Sequence, residues 1–162
     1  MFNKIILSFM AVIALFLVQA DQSLSAQKIK GKVLITSDNE TSCKANEDLM
    51  VQKVCSLVFN TKEKRHLIFV EGKANGINFE NGQAVILRSK SFGKTKAKII
   101  RILRANDDLK ENFFENMKII ILWHVSDDCY LVLDTSKEIE VPAGDNIKMK
   151  VKTKSHQKVE GC

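Results

Sequence analysis

Between residues 28 and 35 the odd positions carry Ile29, Gly31, Val33 and Ile35, while Lys28, Lys30 and Lys32 share the other side. The same alternation closes the chain, where Ile147, Met149 and Val151 interleave with Lys148, Lys150, Lys152 and Lys154. Successive strand residues point to opposite faces, so each stretch predicts a strand with one dry face and one face of ammonium groups. Like charges along a strand also discourage edge-to-edge pairing, which gives both ladders a purely structural reading. Dense β-branched and aromatic residues predict further strands near 49–59, 66–71, 84–90, 96–105, 117–125 and 129–134. Turn signals at Asn75-Gly76, Asn81-Gly82, Ser126-Asp127-Asp128 and Pro142-Ala143-Gly144-Asp145 separate several of them.

One segment changes period. Leu109, Phe113, Phe114 and Met117 recur at helical spacing behind Asn106, Asp107 and Asp108, which predicts a short amphipathic helix over 107–116. The fold class expected is therefore mainly β: one antiparallel barrel or sandwich of about eight strands with a single helix. Residues 66–134 read as three strands, a helix and two strands, the order of an OB-fold.

Residues 5–18 form an uncharged apolar run behind Lys4 and ahead of Val18-Gln19-Ala20. That run is too short to span a membrane, which takes ~20 apolar residues, and its flanks are those of a secretory leader. The expectation is a signal peptide over 1–20 and one β-rich domain over 21–162, with no transmembrane segment in the mature chain. The product is then secreted and extracellular, or periplasmic in a Gram-negative source.

Export changes the reading of Cys43, Cys55, Cys129 and Cys162, because an oxidising compartment favours two disulfides. Three pairings are open; Cys43 with Cys55 is favoured as the local pair, which would leave Cys129 to hold the terminal Cys162. Zinc ligand pairs sit closer together than Cys43 and Cys55, so neither a metal nor a cofactor is expected. Asn39-Glu40-Thr41 is an N-glycosylation sequon in a polar stretch, making Asn39 a glycosylation candidate in a eukaryotic host.

The formal charge is +6, and arginine stands only at 65, 88, 101 and 104, so lysine supplies the rest of the 25 basic residues. Lysine is a hydrated point charge rather than a bidentate fork, which suits loose attraction to polyanions better than specific phosphate reading. The densest cluster is a hairpin: Arg88 and Lys90 on the incoming arm, Lys94, Lys96 and Lys98 on the outgoing arm, and Phe92 near the tip. Such a cluster raises the on-rate of an anionic partner, and an aromatic among cations offers a stacking surface.

Catalytic signals are thin. Gly93-Lys94-Thr95 resembles the end of a phosphate loop, but Arg88 occupies the position of the required first glycine. His124 lies in the apolar run 119–125 and reads as a core or barrel-lining residue; His66 reads as solvated, and His156 falls in the tail. No enzyme is expected. The expected function is a secreted, disulfide-stapled barrel that binds an anionic extracellular partner through the lysine-rich hairpin. A sulfated glycan, an anionic surface or an extracellular protein fits better than a specific nucleic acid. Two alternatives stand beside it: a carrier enclosing a small apolar ligand among Phe69, Phe79, Trp123 and Tyr130, or a secreted effector, toxin or inhibitor acting on another protein.

Overall fold

The computed structural model describes residues 24–154 apart from 75, without the side chains of 24–26 and 152–154. The leader, Cys162, His156, Asn75 and the side chains of Lys152 and Lys154 lie outside the described residues. Seven strands form a closed barrel: β1 (Leu24–Ser37), β2 (His66–Glu71), β3 (Ala84–Ser89), β4 (Gly93–Arg104), β5 (Ile119–Ser126), β6 (Cys129–Thr135) and β7 (Asn146–Lys154). Around the ring they run β1-β2-β5-β6-β4-β3-β7, and β7 pairs back onto β1. Every pairing is antiparallel except β2 with β5. Two helices, α1 (Glu40–Cys43) and α2 (Leu49–Val58), connect β1 to β2.

Residues 49–59, expected as one of about eight strands, are therefore mostly helix. Met50, Val51, Val54, Cys55 and Val58 are its buried residues, and their spacing is that of one helical stripe. Asp48 caps it: one carboxylate oxygen accepts from the backbone N–H of Met50 at 2.8 Å and of Val51 at 3.1 Å. The β-branched content that suggested a strand was outvoted by this stripe and cap.

The helix expected over 107–116 does not form. Residues 105–118 link β4 to β5, which run in the same direction on either side of β6, so the link must return the length of the barrel. An eight-residue strand spans ~27 Å at ~3.4 Å per residue. A ten-residue helix rises only ~15 Å. The chain instead takes successive tight turns, with Phe113 N–H on Lys110 O, Glu115 N–H on Asn112 O and Met117 N–H on Phe114 O. Asp107 closes the end of β4, accepting from Arg104 N–H at 2.7 Å, and does not cap a helix. The same return link makes β5 run parallel to β2, against the wholly antiparallel expectation.

Two cores result. Inside the barrel, Ile29, Val33, Val70, Leu87, Ile99, Trp123 and Leu131 pack together. The links close both ends: Ile77 and Phe79 enter from residues 72–83, Ile139 and Val141 from residues 136–145. Trp123 crosses the interior, donating from its ring nitrogen to Gly72 O at 3.0 Å. Gly31 leaves room for it, and Gly72 lets the β1 backbone come close. A Cβ on Gly31 would stand 2.5 Å from the Trp123 ring, and one on Gly72 2.3 Å from Lys30 O. Outside, α2 lies over β2, β5 and β6, burying Leu67, Phe69, Ile120, Leu122, Tyr130 and Val132. That cover explains why 119–125 is apolar on both faces.

Candidate functional site

Among the described residues, the half of the barrel wall that no helix covers consists of β1, β7, β3 and β4, side by side. Their inward residues supply the interior core, and their outward positions are largely cationic. Lys28, Lys30 and Lys32 on β1, Lys148 and Lys150 on β7, Arg88 on β3, and Lys94, Lys96 and Lys98 on β4 are all exposed. None of these four strands contains an aspartate or a glutamate.

Register turns the separate ladders into one array. Lys30 stands opposite Lys148, Lys148 opposite Arg88, and Arg88 opposite Lys94, a row of cations crossing all four strands. With strands ~4.8 Å apart the row is about 14 Å long. A second row places Lys28 against Lys150, then Ile86, then Lys96. Like charges directly opposite one another destabilise a sheet by up to ~1 kcal/mol per pair. None of the nine cations forms an ion pair among the described residues; the salt bridges there are Lys44–Glu40, Arg65–Glu63, Lys73–Asp127, Arg104–Asp128 and His124–Glu71.

The hairpin residues singled out by sequence divide. Arg88, Lys94, Lys96 and Lys98 join the face, and Lys90 is exposed in the connecting turn. Phe92 is half-buried and packs against the barrel core, so it is not displayed for stacking. The lysines of β1 and β7 belong to the same surface because β7 sits between β1 and β3. Sequence alone carried no signal for that insertion, since the strands come from opposite ends of the chain.

The remaining candidates fall elsewhere. Cys43 and Cys55 are disulfide-bonded, tying α1 to α2 in the outer core. Cys129 is also disulfide-bonded and fully buried. Asn39 is exposed and caps α1, accepting from Ser42 N–H at 2.9 Å. The four proposed ligand-lining aromatics do not share a cavity: Phe79 and Trp123 lie inside the barrel, Phe69 and Tyr130 outside it under α2.

Two histidines hold built positions. His66 is half-buried rather than solvated, its Nε2 2.6 Å from Thr36 Oγ1. His124 faces outward from the barrel rather than lining it, 17 % exposed, stacked on Tyr130 with centroids 4.4 Å apart and Nδ1 3.9 Å from Glu71. Tyr130 donates to the second oxygen of Asp48 at 2.7 Å. Burial, and then this bond to a carboxylate, hold the Tyr130 hydroxyl well above the usual phenol range. Asp48 thus caps α2 and anchors it to β6.

The chain matches no protein-family model, no curated protein and no solved structure.

Proposed function

We propose that this is a secreted, disulfide-stapled barrel that binds an extracellular polyanion, most simply a sulfated glycan, on the β1-β7-β3-β4 face. Nine cations on four strands that contain no acid carry the reading, with Glu71 of β2 opposite Lys32 and Asp134 of β6 opposite Lys98 at the borders of the face. Edge protection, the structural reason for lysine ladders, does not account for Arg88, Lys148 and Lys150, which are paired on both sides, although β1 pairs with β7 alone over Lys28 and Lys30. Solubility alone is served by mixed charges, whereas here one sign occupies four adjacent strands with several pairs directly opposed. A partner that supplies anions to the whole face relieves that repulsion on binding. Lysine's point charges favour a flexible chain of sulfates over a fixed bidentate geometry.

The test is retention on a sulfated-glycan column. The native protein should bind at low salt and elute as salt shortens the screening length to below ~10 Å. The Arg88→Glu/Lys148→Glu variant, changed at the centre of the long row, should elute at markedly lower salt. Flow-through of the native protein at low salt excludes the proposal.

A further inference from the structure

A second surface, at the barrel end where β1 finishes and β2 and β5 begin, has a different character. A groove of about 1440 Å³ lies there, bordered by residues 63–66, 116–119 and 138–142. Cations and acids share it: Lys64, Arg65 and Lys118 against Asp38, Glu63, Glu138 and Glu140, with Ile119 and Val141 among its apolar lining. Arg65 is its unusual member. Its side chain is only 9 % exposed, yet the carboxylate recorded beside it is that of Glu63, at a loose 3.7 Å from Nη2. Its buried Nε–H has no acceptor among the described residues.

A guanidinium cannot shed its proton, so burying it without a close acceptor is costly unless an anion completes it. Nε–H and Nη2–H together form the side-on fork that matches a carboxylate. Glu63 is 74 % exposed and free to swing into water, which makes it a displaceable stand-in for such a group. The acids of the groove repel a polyanion, and its volume exceeds the 300–1,000 Å³ of ordinary small-molecule pockets. A ligand that fits carries a carboxylate together with cationic and apolar groups. We infer that this groove binds a peptide segment of a partner protein, whose carboxylate takes the place of Glu63 on Arg65. This is a second site, distinct from the basic face and independent of it.

The experiment is a ¹⁵N–¹H NMR titration of the intact protein, read at Arg65 Nε–H and at the backbone amides of Ile119 and Val141. The probes are N-acetyl-lysyl-leucine with a free C-terminus, its C-terminal amide, and N-acetyl-lysyl-glutamyl-leucine amide. At least one carboxylate probe should shift Arg65 Nε–H to saturation while the neutral-ended amide does not. The free acid alone responding assigns a peptide C-terminus; the glutamyl amide alone assigns an acidic side chain. Arg65→Lys should weaken binding by about tenfold, since lysine lacks the fork. Glu63→Gln, which removes the competing charge and leaves the arginine intact, should tighten it severalfold. No response to any probe, equal binding of acid and amide, or Arg65→Lys and Glu63→Gln both within twofold of the native affinity overturns the assignment. So does a sulfated oligosaccharide that shifts the groove in place of the β1-β7-β3-β4 face.

Discussion

Replacing Gly31 with alanine tests how the barrel interior is packed. The new methyl would lie 2.5 Å from both Trp123 Cζ2 and Val70 Cγ1. Carbon atoms in contact sit ~3.5–4.0 Å apart, so each overlap is about 1 Å or more. Overpacking of this kind costs about 1–3 kcal/mol. The upper half of that range applies, because the indole is fixed by its bond to Gly72 O and cannot simply turn away. Reduced chain entropy in the unfolded state returns only about 0.4–1 kcal/mol. The net expectation is a loss of about 1–2.5 kcal/mol, measured by urea unfolding of the disulfide-intact protein with an unchanged m value. Trp123 is the chain's single tryptophan, so its fluorescence follows the same site. Trp123→Leu alone should cost about 3 kcal/mol, but it removes the ring atoms that the new methyl strikes. The double variant should therefore be more stable than the sum of the singles by about 1 kcal/mol. Additivity within about 0.5 kcal/mol refutes the close approach of β1 to Trp123.

Three further outcomes follow from the outer core. Asp48→Ala strips two cap bonds from α2 and the acceptor from Tyr130, and should cost about 2–4 kcal/mol in chemical denaturation, against about 1 kcal/mol for Tyr130→Phe. Tyr130 is the only tyrosine, so ultraviolet titration of the phenol reports it alone. Its folded pKa is raised, so its contribution to stability is complete below the unfolded value near pH ~10 and falls away as pH rises above it. Tyr130→Phe should remove that alkaline loss; a phenol that titrates normally in the folded protein contradicts the burial. The Cys43→Ser/Cys55→Ser variant should lose about 2–4 kcal/mol by urea unfolding, as the link holding α1 to α2 is removed.

Much of the architecture was legible in period-two patterning, and its failures have identifiable causes. Lys28 to Ile35 and Ile147 to Val151 read directly as half-dry strands, because one face meets the core and the other meets water. The 119–125 run carried no such contrast, since α2 covers its outer face, and sequence showed only that both sides were buried. Residues 49–59 misled through β-branched content, although Asp48 and the 50-51-54-55-58 stripe were there to be read as a helix. Residues 107–116 misled in the opposite sense: the spacing was helical, but the distance to be crossed was not. The site was half visible. Arg88, Lys94, Lys96 and Lys98 were grouped correctly by the hairpin, while joining them to Lys28, Lys30, Lys148 and Lys150 required the placement of β7 between β1 and β3. Arg65 gave no sequence signal, because its isolation from acceptors is a product of the folded groove.

The most direct test of the basic face is the salt dependence of sulfated-glycan affinity, compared between two charge-matched variants. Lys30→Glu/Lys148→Glu/Lys150→Glu alters the array; Lys53→Glu/Lys62→Glu/Lys110→Glu alters exposed lysines off it. If each engaged cation contributes a slope of roughly 0.7 in log affinity against log salt, as on a single polyanionic strand, the first variant should lose about 2 from its slope. The second should keep the native slope. Equal losses in both variants would show attraction to net charge alone and contradict a binding face on β1, β7, β3 and β4.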